Sequence, residues 1–221
     1  MKTLSRREML ELAIAAGCLS VTRSTFAQDM ARQLTPEQIM GPFYPIMRPL
    51  DHDMDLTVVK GKRGQAQGKV VHLTGRVLNN QGKPVQGAKI EIWQANTHGR
   101  YDHPRDINPA PLDPNFQGYG VQVTDAQGRF RFKTIKPGAY PINPVNPTNN
   151  RPPHIHFDVM GSRERLVTQM YFPGEPLNEG DIIFRELGEL KEAAIGKVLP
   201  LTKDLEPASL LINWDIVLEK G

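Results

Sequence analysis

Short alternating runs of apolar and polar residues dominate the chain from about residue 70 onward. Ala88, Ile90 and Ile92 alternate with Lys89 and its neighbours, which is the period-two pattern of a strand with one buried face. Similar patterns occupy residues 71–77, 166–172 and 210–218, with glycine and proline turns between them. Many short strands separated by turns favour two packed sheets. The sequence therefore predicts an all-β fold, a mainly antiparallel β-sandwich with long loops.

Three other segments give local predictions. Residues 121–124 and 130–134 flank a turn at residues 125–128, which predicts a β-hairpin with Phe130 and Phe132 on one face. Residues 51–69 are polar and glycine-rich and predict a surface loop. Residues 186–198 have the clearest helical character, so we expect at most one short helix.

Residues 1–27 have the features of an export signal. The segment SRREML at residues 5–10 resembles a twin-arginine signal, and TFA at residues 25–27 offers a small-residue cleavage site. The apolar stretch at residues 10–21 is too short for a membrane-spanning helix. We expect a signal peptide at 1–27, a β-sandwich domain at 28–221 and delivery to the periplasm. An amphipathic N-terminal helix is one alternative, and a lipid anchor on Cys18 is another.

Removing the leader changes the electrostatic character of the chain. The leader holds four of the 27 basic residues and two of the 24 acidic ones, which leaves 23 basic and 22 acidic side chains. A net charge so close to zero gives no reason to expect nucleic acid or an anionic membrane as a partner. Cys18 is the single cysteine, so the domain after the leader has neither a disulfide nor a thiolate metal site.

A pair of histidines two residues apart is a candidate metal site. His154 and His156 share one face of a predicted strand, while Ile155 and Phe157 lie on the opposite, apolar face. Neutral imidazoles bind many first-row metals. The same spacing is also found in half-buried polar pairs. A triad with Asp158 for Fe(II) or Zn is a further option, although the first and third ligands would lie roughly 13 Å apart along the strand.

Five motifs in a fixed order place these histidines in a wider context. They are EIWQANTHGRYDHP (91–104), APLDPNFQGYG (110–120), VTDAQGRFRFKTIKPGAYP (123–141), RPPHIHFDV (151–159) and LVTQMYFPGEP (166–176). Together they resemble the intradiol ring-cleavage dioxygenases from about residue 41 to about residue 176. The nearest pattern is the iron-binding chain of the protocatechuate-cleaving members.

The resemblance implies a non-haem Fe(III) cofactor held by Tyr101, Tyr140, His154 and His156. Phenolate oxygen is a hard ligand that suits ferric iron. A tyrosine beside glycine or proline is otherwise an ordinary packed turn residue, so the tyrosine assignments depend on the resemblance. The implied substrates are a catechol-type aromatic and O2, and the implied product is a cis,cis-muconate opened between the two hydroxylated carbons.

The resemblance also implies roles for five residues around the metal. Arg151 and Gln169 are the expected catalytic residues, although a solvated loop arginine and a packed glutamine are the alternatives. Pro42, Tyr44 and Ile142 are expected to line the substrate pocket. Protocatechuate-cleaving relatives carry a tryptophan where this chain has Ile142, so the preferred ring substituent stays open.

Two other functions fit the same residues. One is an Fe(II) or Zn enzyme that uses His154 and His156, and the other is an exported β-sandwich that binds a ligand without catalysis. For the dioxygenase we expect a homo-oligomer or an assembly with a second related chain.

Overall fold

Two β-sheets pack across a shared apolar core. The computed structural model describes residues 31–221 except Pro147. The predicted leader at 1–27, with Cys18, lies outside the described residues, so the predictions made for it stay predictions. The strands of the described part are, in chain order, β1 (Val70–Asn79), β2 (Lys89–Trp93), β3 (Tyr119–Val123), β4 (Arg129–Ile135), β5 (Tyr140–Pro141), β6 (Asn150–Arg151), β7 (His154–Met160), β8 (Arg165–Tyr171), β9 (Lys197–Leu199), β10 (Leu210–Asn213) and β11 (Ile216–Leu218).

The first sheet is built around the long strand β1. It pairs antiparallel with β4 and parallel with β10 and β11, and β9 extends the sheet by pairing antiparallel with β10. The predicted strand at 210–218 is therefore two strands, because the chain leaves β10 at Trp214 and Asp215 before it resumes as β11.

The second sheet positions the histidines. It is antiparallel throughout, in the order β3-β2-β7-β8. Trp93 at the end of β2 pairs with His156 on β7, which pairs with Gln169 on β8. The end of β2, the start of β7 and the end of β8 consequently lie side by side at one end of the sheet. The candidate site lies at this end.

The core contains side chains from the facing surfaces of both sheets. Leu73 and Phe132 come from the first sheet, and Ile90, Ile155 and Phe157 come from the second; all five are buried. Burying a side chain of this size contributes about 1.5–3 kcal/mol of hydrophobic free energy. The prediction of a mainly antiparallel β-sandwich is confirmed. The expected half-exposed face of β2 is wrong, because Glu91 and Trp93 are buried as well.

The predicted hairpin at residues 121–134 is also wrong. Strand β3 pairs with β2 and strand β4 pairs with β1, so the turn at 125–128 carries the chain from one sheet to the other. Phe130 and Phe132 do share a buried face. Alternation identifies strands and their faces, but it carries no information about which strand is the hydrogen-bonded neighbour.

The helical prediction at 186–198 is partly correct, because the segment contains a 3-10 helix, whereas the α-helix ends at its first residue. One α-helix, α1 (Ile182–Glu186), occurs in the described residues, and 3-10 turns cover Asn178–Gly180 and Gly188–Ala194. None of the described helices has the length and apolar character needed to cross a membrane. The segment at 51–69 is a loop, as expected, but Leu56 and Thr57 within it are buried.

Candidate active site

Glycines bring the two tyrosine loops together. Tyr101 lies in the loop between β2 and β3, and Tyr140 opens β5. Gly99 has a positive φ of 75°, and a side chain there would collide with the carbonyl oxygen of Ala139. A side chain on Gly138 would strike the backbone at Gly99. The two backbones approach more closely than a Cβ atom permits, which explains why a glycine stands two residues before each tyrosine.

Side-chain caps hold the Tyr101 loop in shape. The Oδ1 atom of Asn96 accepts hydrogen bonds from the backbone N–H groups of His98 (2.9 Å) and Arg100 (3.1 Å). The carboxylate of Asp106 accepts the N–H of Tyr101 at 2.7 Å. These bonds satisfy backbone donors that a loop would otherwise leave without a protein partner, and the Tyr101 donor among them is buried.

The histidines face each other with their Nε2 atoms 3.2 Å apart. The Nδ1–H of His154 donates to the carbonyl oxygen of Pro152 at 2.7 Å, and since a carbonyl only accepts, Nε2 is unprotonated and its lone pair can face a donor or a metal. Trp93 stacks on His156, with ring centroids 4.9 Å apart and planes 10° apart. A Cβ atom at Gly41 would lie 3.2 Å from Cε1 of His156, so the backbone there also packs against this ring. Both imidazoles are therefore fixed in orientation.

The two tyrosines complete a four-residue cluster. The hydroxyl oxygen of Tyr140 lies 3.4 Å from Nε2 of His154, and the Tyr101 ring centroid lies 5.5 Å from that of Tyr140 and 6.3 Å from that of His156. The Tyr101 hydroxyl is buried and has no hydrogen-bond partner in the described part of the chain. Seven other buried side-chain polar atoms of the described residues also lack a partner, among them the Tyr119 hydroxyl, so a metal is indicated by the clustering of ligand types and not by this atom alone. Two phenol oxygens and two imidazole nitrogens in this arrangement fit a metal ion.

The protein environment favours neutral forms of all four side chains when no metal is bound. Burial, reinforced by the positive charge of Arg151, holds the pKa of His154 and of His156 well below 6.5. Burial likewise raises the pKa of the Tyr101 hydroxyl, with a further contribution from Tyr140. Burial also raises the pKa of Tyr140, against an opposing effect of Arg151. Neutral imidazoles are ready to bind a metal, whereas the phenols ionise only when a cation binds them.

Arg151 lies beside the cluster because β6 pairs with β5. Its cross-strand partner is Tyr140, and its Nη1 atom lies 3.2 Å from Nε2 of His154. Although burial acts to lower the pKa of Arg151, the neighbouring Tyr140, Tyr171 and Asp181 raise it overall. The guanidinium is therefore a permanent buried cation at the edge of the cluster.

Three residues hold the other side of this guanidinium. The two N–H groups of Nη2 are shared among Gln169 (3.0 Å), the hydroxyl of Tyr171 (3.0 Å) and Asp181 (2.7 Å), and Nε donates to Asp181 as well (2.9 Å). Tyr171 in turn donates to Gln38 at 3.2 Å. Gln169 thus contacts Arg151 as a hydrogen-bond acceptor. Asp181 lies 30 residues after Arg151, outside every motif, and its only signal in the sequence is an acidic residue before the apolar start of α1.

The segment GPFYP at residues 41–45 covers part of the cluster. Phe43 packs on Tyr101, with ring centroids 4.6 Å apart, and on Tyr140 at 6.2 Å. Together with Tyr101 and Trp93 it lines a cavity of about 310 Å³. Pro42, the predicted wall residue before it, is exposed. Phe43 was not singled out from the sequence, where one aromatic among several gives no signal of its own.

The other two predicted wall residues lie farther from the ligand cluster. Tyr44 donates its hydroxyl to Glu91 at 2.6 Å and packs edge-on against Trp93, which separates it from His156. Ile142 follows β5 and is 52% exposed. Their roles in substrate binding stay predictions.

The alternative triad with Asp158 does not assemble. Both carboxylate oxygens of Asp158 accept hydrogen bonds from Arg165 at 2.8 Å. Across residues 31–221, Pro147 apart, no group of three or more His, Cys, Asp or Glu side chains could hold a metal ion. The geometry thus favours the mixed tyrosine and histidine cluster over an Fe(II) or Zn triad.

Comparison with known proteins identifies the family. The family model described as Dioxygenase (Dioxygenase_C) matches residues 39–220. The chain belongs to the intradiol ring-cleavage dioxygenases, a family of non-haem iron oxidoreductases. It is 43% identical over 205 residues to the protocatechuate 3,4-dioxygenase beta chain of Burkholderia cepacia, covering 89% of this chain and 86% of that one. The interpretation as a non-catalytic binding protein is therefore wrong.

Two further relatives show how far the likeness extends. Catechol 1,2-dioxygenase 1 of Acinetobacter lwoffii is 33% identical over 167 residues, which cover 71% of this chain but only 52% of the relative. Among solved structures, the dioxygenase domain of a dioxygenase carbohydrate-binding fusion from Streptomyces sp. SirexAA-E has a TM-score of 0.63 at 29% identity and covers 86% of this chain and 100% of that chain. The chain spans about half the length of the catechol-named relative.

Proposed function

We propose that the protein is a non-haem Fe(III) dioxygenase that opens a catechol-type ring between its two hydroxylated carbons, with O2 as co-substrate and a cis,cis-muconate as product. The observation that carries the proposal is the clustering of Tyr101, Tyr140, His154 and His156: the Tyr140 hydroxyl (3.4 Å) and Nε2 of His156 (3.2 Å) lie next to Nε2 of His154, and the buried Tyr101 hydroxyl has no partner among the described residues. The 43% identity to a protocatechuate 3,4-dioxygenase beta chain supports the same reaction class.

Tyr101, Tyr140, His154 and His156 would hold the iron. Tyr140 would also accept a proton, and Arg151 would stabilise developing negative charge. When bound, ferric iron would supply a Lewis-acidic centre that activates the catechol ring toward O2. Tyr140, as a phenolate, is a base at its Oη atom that can accept a proton from the incoming catechol. Nη1 of Arg151 is a fixed cationic donor, placed to stabilise negative charge that develops on the ring. Phe43 and Trp93 supply apolar walls to the cavity on the Tyr101 side.

We favour a protocatechuate-like substrate, because the 43% identical relative bears that name. A ring carboxylate needs a cation, and the cation at the site, Arg151, is already paired with Asp181. Recognition of a carboxylate would therefore need a residue outside this cluster, from this chain or from a partner. Catechol and hydroxyquinol are the alternatives that other relatives' names suggest.

The reaction is tested by product analysis. Iron-loaded protein is given protocatechuate, catechol, hydroxyquinol and a substituted catechol in parallel, with and without O2. The proposal requires oxygen-dependent formation of a muconate with two carboxylates at the former hydroxylated carbons. Muconic semialdehydes, which arise from cleavage beside the diol, would favour the Fe(II) alternative instead, and the absence of turnover on every catechol would reject the proposal.

We further propose that the protein is exported to the periplasm and assembles with itself or with a second related chain. The SRREML segment supports export.

The designation of the 43% identical relative as a beta chain supports a related partner. Ile46, Met47 and Leu50 are apolar and strongly exposed within one short segment, as expected of an interaction surface. Light scattering on the purified chain tests the assembly: a monomer at micromolar concentration would exclude self-association and leave the related chain as the partner to seek.

A further inference from the structure

The guanidinium of Arg151 is held in one orientation by a single carboxylate. The Oδ2 atom of Asp181 accepts from both Nε (2.9 Å) and Nη2 (2.7 Å) of Arg151. Because these two donors lie on one edge of the planar guanidinium, the remaining nitrogen, Nη1, is directed away from Asp181. Nη1 is the nitrogen that lies 3.2 Å from Nε2 of His154.

The other oxygen of the same carboxylate holds the backbone. Oδ1 of Asp181 accepts the N–H of Ile183 at 2.9 Å and so caps the start of α1. The side chain of Asp181 is fully buried. One carboxylate thus fastens Arg151 to a segment 30 residues farther along the chain, and the capping bond prevents it from rotating.

The negative charge of Asp181 also offsets the positive charge of Arg151. A lone buried guanidinium next to a cluster that binds a cation would be strongly unfavourable, because neither charge is offset in a low-dielectric interior. Pairing with Asp181 makes the arginine a neutral unit overall, while Nη1 keeps its capacity to donate a hydrogen bond. Gln169 and Tyr171 also contact Arg151 but carry no formal charge.

We propose that Asp181 is the positioning residue for Arg151: its carboxylate directs Nη1 toward the ligand cluster and offsets the charge of the guanidinium. This inference rests on the proposed function, since it assigns Asp181 its effect on turnover through Arg151. It predicts that Asp181 matters for catalysis only while Arg151 is present.

A double-mutant cycle tests this dependence. Asp181→Asn keeps a capping oxygen for Ile183 and removes the charge, and Arg151→Ala removes the donor. We expect kcat to fall on the order of a hundredfold for Arg151→Ala and at least about tenfold for Asp181→Asn. The double variant should match Arg151→Ala within about threefold. Iron content and the visible spectrum should be retained throughout.

Matched readouts separate positioning from simple structural support. Asp215→Asn breaks a surface pair with Arg76 and should leave kcat unchanged. If Asp181→Asn and Arg151→Ala lower kcat independently, so that their effects multiply in the double variant, the proposal is overturned. The proposal is also overturned if the activity of Asp181→Asn falls only as far as its fraction of folded protein falls.

A measurement on the metal-free wild-type protein needs neither activity nor a stable Asp181 variant. In ¹⁵N-arginine-labelled protein, the Nε–H of Arg151, assigned by its loss in Arg151→Ala, should exchange with solvent at least about a hundredfold more slowly than that of exposed Arg76. Exchange as fast as that of Arg76 would contradict the buried pair. If the wild-type protein cleaves no catechol but this proton is protected, the proposed function fails while the pairing stands.

Discussion

Tyr101 is a buried member of the proposed ligand cluster. Its hydroxyl is buried and has no hydrogen-bond partner within residues 31–221, Pro147 apart, so Tyr101→Phe removes a polar atom that costs stability in the metal-free protein. We expect the free energy of unfolding of the metal-free protein to be unchanged or slightly increased. The iron content and the visible band should fall sharply because phenylalanine offers no oxygen.

Tyr119→Phe is the matched control, since Tyr119 is equally buried but lies outside the cluster. It should retain iron and colour. Metal analysis, absorption spectroscopy and urea unfolding on the three proteins decide the question. A Tyr101→Phe protein with wild-type iron and colour would remove Tyr101 from the ligand set.

The two histidines should make the stability of the metal-free protein depend on pH. Their pKa values are held well below 6.5 in the folded state, by burial first and then by the charge of Arg151. Below pH 6.5 the unfolded chain therefore binds more protons than the folded one, and stability falls as the pH is lowered. Each histidine can contribute up to about 1.4 kcal/mol per pH unit.

Urea unfolding of the metal-free protein at pH 7.5 and pH 5.5 measures this effect. A double variant with His154→Gln and His156→Gln should lose most of the difference between the two conditions. Equal stability of the wild-type protein at both pH values would show that the imidazoles are not held neutral by the fold.

The sequence could predict these residues only where a motif carried them. Tyr101, Tyr140, His154 and His156 lie in recognisable segments, and the structure brings them together. Asp181 and Phe43 act through contacts across long sequence separations, and neither residue type stands out in its own segment. Their proximity to the cluster arises from the fold, which local patterns do not encode.

At the scale of elements, the two loops that carry the tyrosines depend on close backbone contact. Gly99→Ala combines a strained φ of 75° with a collision against the carbonyl oxygen of Ala139. We expect a loss of roughly 2–4 kcal/mol in the free energy of unfolding, together with weaker iron retention, because the Tyr101 and Tyr140 loops must separate.

Gly87→Ala is a matched control, with a φ of 76° and, in the part of the chain that the structure describes, no atom within 4 Å of an added Cβ. It should cost only the conformational strain, about 1–2 kcal/mol, and leave iron binding intact. Equal losses in the two variants would show that the contact between the loops does not position the tyrosines.

Strands and their buried faces were predictable, whereas their partners were not. Alternation correctly located β1, β2, β7 and β8 within a residue or two. The turn at 125–128 has the composition of a hairpin turn, yet β3 and β4 enter different sheets because each is completed by a strand elsewhere in the chain. The helix at 182–186 is too short for its periodicity to be distinguished from a turn.

At the scale of the whole molecule, export is the outstanding prediction. A twin-arginine leader implies that the domain crosses the inner membrane already folded, and the single cysteine lies in the leader. Changing Arg6 and Arg7 to Lys should trap precursor in the cytoplasm, as followed by fractionation and immunoblotting. The control changes Arg23 to Lys, later in the same leader. Periplasmic delivery that is unaffected by the paired change would contradict this route.

The central claim, ferric iron held by two tyrosinates and two histidines, is tested most directly by the visible absorption spectrum of the purified protein together with its metal content. The account predicts about one iron per chain and a red-brown colour from tyrosinate-to-Fe(III) charge transfer, with the band shifting when a catechol is added without O2. Protein that contains stoichiometric iron yet is colourless, or that is active with zinc in place of iron, would contradict it.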